Sequence, residues 1–244
     1  MPRVLTALLF ILYAYGQGVD PLSIIEKVDK NTVTTTARYT AKLVISEAGE
    51  IRAKEFKGYV DGKDKGFLEF TAPARDKGTR FLKLKNEMWI YIPAVEKATK
   101  IAGHMLRQSL MGSDFAYDDM MANEKLKESY DITLTGTDTV MGKTCYLLNL
   151  TARVSDVAYY QRRMWVDNES YIPLKVELYA KSGKLMKEIF ISDYKKIGTR
   201  NYPTKVKMVN KLRPNTYSEM IIDEITLDVP IPARIFERSY LERK

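Results

Sequence analysis

The sequence predicts a mainly β (α+β) domain, and three observations carry that expectation. Apolar and polar residues alternate through many short runs, turn signals rich in glycine and charge separate those runs at hairpin spacing, and helical periodicity is confined to a short N-terminal stretch and a methionine-rich middle. A chain of 244 residues, 45% of them hydrophobic, can bury one sizeable core. No proline-, glycine- or serine-rich linker, low-complexity tract or exact repeat divides it, so one domain is the expectation.

Met1-Pro2-Arg3, the apolar run from Val4 to Ala14 and the small residues Ala14 and Gly16 have the three-part layout of a secretory signal. The run is shorter than the ~20 residues a membrane-spanning helix needs. Residues 1–16 are therefore expected to be cleaved, and the domain to occupy 17–244. Asp20-Pro21 then starts a helix, a capping carboxylate followed by the residue whose missing N–H costs nothing in the first turn. Leu22, Ile25 and Val28 form its apolar stripe.

The period changes next: Ala37, Tyr39, Ala41, Leu43 and Ile45 alternate with polar residues, Val44 being the exception, as in a half-buried strand. Turn signals at 47–50, 61–65, 76–78, 86–87 and 141–143 separate further strands, among them 67–71, 80–85 and 88–92. The second half continues with strands at 159–167, 174–180, 185–193, 204–212 and 217–227, and Lys181-Ser182-Gly183-Lys184 makes a hairpin turn. Between about 94 and 130 the alternation fails. Met105, Leu106, Ser109 and Leu110 fall at helical spacing, followed by Met111, Phe115, Tyr117, Met120 and Met121. This reads as a helical insertion, either helices packed permanently on the sheet or a lid over an apolar cavity. The unbranched thioether suits the second, because it repacks around different ligands.

Catalytic chemistry finds little to work with. His104 is the one histidine and Cys145 the one cysteine, so histidine-rich and cysteine-cluster zinc sites are excluded. Ala102-Gly103-His104-Met105 carries no nucleophile turn, and Gly58, Gly62 and Gly66 do not form a strand-to-helix phosphate loop. Asp114, Asp118 and Asp119 are the densest carboxylate cluster; the structural reading makes Asp114 or Ser113 a helix cap with the others in the first turn. No catalytic residue, metal or cofactor is expected. Cys145 is far from the cleavage site, so it cannot receive a lipid anchor, and it reads as a core residue. The net charge of +8 would suit nucleic acid in a cytoplasmic chain. An exported chain meets anionic lipid instead, so nucleic acid is not expected as a partner.

Gly66-Phe67-Leu68-Glu69-Phe70-Thr71-Ala72-Pro73 and Met88-Trp89-Ile90-Tyr91-Ile92-Pro93-Ala94-Val95-Glu96-Lys97-Ala98 resemble the LolA/LolB-like lipoprotein-sorting proteins. The segments 112–119, Met164-Trp165-Val166-Asp167, Tyr171-Ile172-Pro173-Leu174-Lys175 and the ending Ile231-Pro232 with Phe236 and Leu241 resemble a subgroup of outer-membrane lipoprotein-sorting proteins. The resemblance implies a single strongly curved antiparallel sheet forming an incomplete β-barrel, with helices covering its concave apolar face. It further implies a periplasmic, monomeric carrier that shelters acyl chains of lipoproteins or lipids between the inner and outer membranes. Its partners would be an inner-membrane exporter and an outer-membrane acceptor, with transient contact at the membrane surface. An envelope sensor or scaffold on the same fold is the alternative. The arginine such carriers use in lid closure has no identifiable counterpart. On that fold, strand parity nominates Leu68, Phe70, Leu82, Leu84, Met88, Ile90 and Ile92 as the cavity wall, with Met105, Leu106, Leu110, Met111 and Phe115 on the lid; all could equally be plain core. Trp89 would then point to the opposite face, under the terminal segment.

Overall fold

The computed structural model describes residues 18–32, 34–121, 126–155 and 157–243; the expected signal segment 1–16 lies outside them. Helix α1 (Pro21–Thr32) leads into β1 (Thr36–Glu47), β2 (Glu50–Asp61), β3 (Lys65–Ala72), β4 (Arg80–Leu84), β5 (Glu87–Ile92) and β6 (Lys97–Lys100). After an insertion come β7 (Tyr130–Val140), β8 (Lys143–Ala152), β9 (Gln161–Asp167), β10 (Pro173–Tyr179), β11 (Leu185–Ile197), β12 (Arg200–Asn210) and β13 (Thr216–Leu227). These make one 13-stranded antiparallel sheet in the order β6 to β1, then β13 down to β7.

Almost every neighbour is a hairpin neighbour, because short turns force consecutive strands to pair. The one long-range pairing, β1 with β13, joins the two meanders in the middle and leaves β6 and β7 at opposite edges. The sheet does not close. It does curl: α1 touches both β12 and β7, five strand spacings apart. On a flat sheet that span is about 24 Å at ~4.8 Å per strand, twice a helix diameter of about 10–12 Å.

Asp20 caps α1 as the sequence predicts, its carboxylate accepting from the Leu22 and Ser23 amides at 3.1 and 3.2 Å. The buried stripe is shifted from the expected one. Ile24, Ile25, Val28 and Asn31 face the sheet, while Leu22 is 44% exposed. Asn31 locks the C-terminal end: its amide donates to Ser170 O at 2.9 Å and its carbonyl accepts from Asn201 N at 2.9 Å.

Because β6 and β7 are opposite edges, the chain between them must cross the sheet. Within the span 94–130, Lys97–Lys100 is a strand, not helix, and the helical stretches among the described residues are single turns. Gly103–Arg107 and Leu110–Gly112 are 3-10 turns, succeeded by α2 (Tyr117–Met121) and α3 (Leu126–Ser129). Long helices do not form because Met111 and Gly112 have φ of 51° and 82°, a left-handed reversal no helix continues through. The reversal folds the insertion on itself: Leu110 N donates to Phe115 O at 2.7 Å and Tyr117 N to Gln108 O at 3.2 Å.

Candidate functional site: the covered inner face

Register identifies the inner face strand by strand. One row runs Leu148, Met164, Val176, Ile189, Met208, Ser218 and Ile45 across β8 to β1. A second continues through Ala41, Phe56 and Phe70 to β3. Leu68, Phe81 and Ile90 carry the same face across β3, β4 and β5. Helix α1 buries Ile24, Ile25 and Val28 against its β8–β10 part. The insertion buries Leu110 and Phe115, with Leu106, Met111, Tyr117 and Met120, against its β1–β5 part.

Among the residues nominated from parity, Leu68, Phe70, Met88, Ile90, Leu106, Leu110, Met111 and Phe115 therefore share one apolar cluster. Leu82 and Leu84 do not. In register Leu82 sits opposite Phe67 and Trp89, on the outer face, and packs with Leu84 against Ile235, Phe236 and Leu241 of the C-terminal segment. Strand β4 is apolar on both faces, so parity groups Leu82 with Leu84 without saying which side is inward. Ile92 and Met105 are 40% and 38% exposed and join no cluster. Trp89 faces the C-terminal segment, with the Arg238 guanidinium 3.7 Å above its ring. Arg80 fastens that segment by donating to Leu241 O at 2.8 Å and Arg243 O at 2.5 Å.

Polar ties hold the insertion down. Asp114 is buried and accepts from Thr216 Oγ1 at 2.9 Å and Ser218 Oγ at 2.8 Å, so it ties the insertion to β13 and does not cap a helix. Asp119 takes the capping role, accepting from Ala116 N at 2.6 Å. The same carboxylate accepts from Lys187 Nζ at 2.7 Å and from the Tyr159 hydroxyl at 2.9 Å. Lys187 shares the inner face with Leu178, its partner in register. Next to them Arg162 donates to the Tyr130 hydroxyl at 3.1 Å. Burial lowers the Arg162 pKa to about 10, with Asp119 acting in the opposite sense. Burial also pushes the Tyr159 hydroxyl far above the ordinary tyrosine value, and Asp119 adds to the rise.

Sequence reasoning missed Lys187, Arg162 and Lys83. The available signal is a cation at the apolar parity of a strand: Lys187 with Ile189, Arg162 with Met164, Lys83 with Phe81. Of the carboxylates weighed as catalytic, Asp114 is held by Ser218 of β13 and Asp119 by Lys187 of β11, and His104 is exposed. Cys145 is fully buried in a smaller cluster with Trp165 and Leu174, where burial pushes its thiol up.

A cavity of about 110 Å³ remains between insertion and sheet, lined by Leu68, Phe81, Met88, Leu110 and Met120 with Tyr39 and Lys83. Tyr39 lies flat over Gly58, where a Cβ would fall 2.2 Å from its Cζ; any other residue at 58 would displace the ring into this space. A larger open hollow of about 630 Å³ is walled by Asp29, Lys30, Lys63, Thr199 and Arg200, four of them charged. Among the described residues, no helix is long and apolar enough to cross a membrane.

A family model described as that of an uncharacterized protein matches residues 62–243. No curated protein matches the chain significantly. Among solved structures, a DUF1329 family protein from Desulfovibrio piger superposes with a TM-score of 0.83 at 24% identity, covering 91% of this chain and 99% of that one. An outer membrane lipoprotein-sorting protein domain from Vibrio parahaemolyticus gives 0.81 at 22%, covering 91% and 98%. A LolA superfamily protein from Nitrosomonas europaea gives 0.76 at 22%, covering 91% and 99%. At these identities the likeness carries the fold: an open, curled sheet with helices on its concave face, the incomplete barrel implied by the sequence. The chain belongs to the family whose model matches residues 62–243, and its fold is that of the Vibrio parahaemolyticus lipoprotein-sorting protein domain and the Nitrosomonas europaea LolA superfamily protein.

Proposed function

We propose that the protein is a periplasmic carrier that shelters the acyl chains of lipids or lipoproteins on their way from the inner to the outer membrane. One observation carries this reading. A continuous apolar face is covered by a segment with little secondary structure of its own, and a cavity is already open beneath it. Each buried CH₂ contributes about 0.8 kcal/mol, so acyl chains need such a shelter to cross water. At about 110 Å³ the cavity is well below the ~300–1,000 Å³ of typical ligand sites. Loading then requires the insertion to lift, which breaks the Asp114 and Asp119 ties and exposes Leu106, Leu110 and Phe115 to cargo.

The donor would be an inner-membrane exporter and the acceptor an outer-membrane protein, with the net charge, +8 for the whole chain and +7 once Arg3 leaves with residues 1–16, favouring brief contact with anionic surfaces. Leu68, Phe70, Met88, Ile90, Leu106, Leu110, Met111 and Phe115 form the proposed binding surface. Native mass spectrometry of protein recovered from its own periplasm, with uptake of a fluorescent acyl probe, tests the proposal. Bound lipid and saturable uptake are expected; absence of both refutes it. The small volume of the cavity favours one other reading, an envelope sensor or scaffold, which predicts a stable crosslinked protein partner and no lipid.

A further inference from the structure

Consecutive antiparallel strands turn alternately at the two ends of the sheet. Four of the connections at one end, residues 48–49, 211–215, 180–184 and 153–160, follow one another along the rim, because β2, β1, β13, β12, β11, β10, β9 and β8 are neighbours in that order. The connections touch. Ala48 N donates to Asn215 O at 3.2 Å, Lys211 N to Met186 O of the next hairpin at 2.9 Å, and the Lys181 amine stands 5.7 Å from the centre of the Tyr160 ring. In or beside these turns lie three exposed aliphatic side chains, Ile51 at 68%, Val154 at 45% and Leu212 at 44%, and none of them joins a buried cluster. A single exposed residue of this kind is ordinary on a protein surface; three on adjoining turns call for a reason.

The charge of the arc supplies one. Its four connections hold five cations, Arg153, Lys181, Lys184, Lys211 and Arg213, against one acid. The five connections at the opposite end, 62–64, 85–86, 141–142, 168–172 and 198–199, hold two cations, two acids and one exposed large apolar residue, Met141. Within the arc Arg213 and Arg52 both meet Glu47 at the end of β1, Lys211 meets Glu188 at 2.6 Å, and Arg153 meets Asp131 at 3.4 Å, pairs that hold the turns to the strands. Lys181 and Lys184 stand at the tip of the β10–β11 hairpin, where residues 181–184 are all exposed. Aliphatic tips among cations match a bilayer with anionic headgroups: the tips enter the interface while the cations meet phosphate. We propose that this arc is the face by which the protein docks on anionic membranes. The insertion is fastened at the same end, since Asp114, its tie to Thr216 and Ser218, lies 3.9 Å from the Arg213 guanidinium. The proposal rests on the carrier reading for its membrane and adds which surface meets it.

The test is sedimentation of protein recovered from its own periplasm with vesicles of phosphatidylcholine, with and without phosphatidylglycerol. Wild type is expected to bind the anionic vesicles about tenfold or more tighter than the neutral ones, and less tightly as salt rises. Lys181→Glu with Lys184→Glu, and separately Leu212→Asp, should each weaken that binding by about tenfold. Met141→Asp with Lys85→Glu, at the opposite end, should leave it unchanged; all five positions are exposed. Wild type that binds both kinds of vesicle equally, or neither, overturns the docking face without any variant. Arc variants that bind like wild type overturn it too, as does an equal loss in the opposite-end variant. Uptake of an acyl probe in vesicle-free solution separates the two readings. Uptake without vesicle binding removes the docking face and leaves the carrier reading, whereas vesicle binding lost in the arc variants, with no uptake and no bound lipid, supports the docking face and removes the carrier reading.

Discussion

Replacing Asp119 by alanine should release the insertion, and the structure sets the size of the effect. The Asp119 and Lys187 side chains are each 11% exposed and meet at 2.7 Å. Removing the carboxylate leaves a nearly buried ammonium without its partner, a change that costs about 3–5 kcal/mol. The Tyr159 hydroxyl and the Ala116 amide lose their acceptor at the same time. The loss should appear first as local opening, because the insertion contributes no strand to the sheet. Hydrogen exchange at the Leu110, Ser113 and Tyr117 amides, whose acceptors lie within the insertion, reads that opening directly. At ~1.4 kcal/mol per decade their exchange should accelerate by about a hundredfold to a few thousandfold, with the amides of β1 and β13 little changed. The pair Asp119→Leu with Lys187→Met should recover most of the loss, since apolar replacement of a buried ion pair is close to neutral. Unchanged exchange at the three amides in a folded Asp119→Ala protein would refute this, as would a double variant no better than the single one.

Leu82→Ala should destabilise the protein by about 2–5 kcal/mol in chemical denaturation while leaving acyl-probe uptake intact, because Leu82 is fully buried under the C-terminal segment. Parallel loss of uptake would return it to the cavity wall. Gly58→Ala should cost about 1–3 kcal/mol, read as a lowered Tm, and Tyr39→Ala in the same chain should relieve the clash. For Glu177, burial alone would raise the carboxyl pKa, but hydrogen bonds from Lys175 at 2.7 Å and Tyr179 at 2.5 Å outweigh it and hold it below the ordinary 4.5. A depressed carboxyl pKa stabilises above the unfolded value, and that stability is lost as pH falls through the folded one. The stability gap between wild type and Glu177→Gln should therefore be full at pH 7 and shrink steadily below 4.5; a gap independent of pH would contradict it.

Strands are legible in this chain because period-2 alternation and turn chemistry are local. Ala37 to Ile45 announces β1, Lys181 to Lys184 the hairpin between β10 and β11, and Asp20 the start of α1, each from residues within one turn or one pleat of the event. The methionine-rich interruption is legible too, as a place where that period fails. Its detailed form is not, because Met111 sits at a reversal that nothing in its immediate neighbourhood requires. The inward face of β4 is likewise beyond local reading. Phe81 and Leu82 are both buried, and the choice between them is set by register with Leu68 and by the arrival of Leu241 and Phe236 on the other side. The polar ties are longer still in sequence: Asp119 meets Lys187 across 68 residues, and Asp114 meets Ser218 across 104. A lysine at apolar parity marks itself as unusual, but only packing says which carboxylate it meets, as Lys187 meets Asp119. Local sequence thus specifies elements and their two faces, while the choice of inward face and the pairing of charges depend on contacts between segments that only the folded chain brings together.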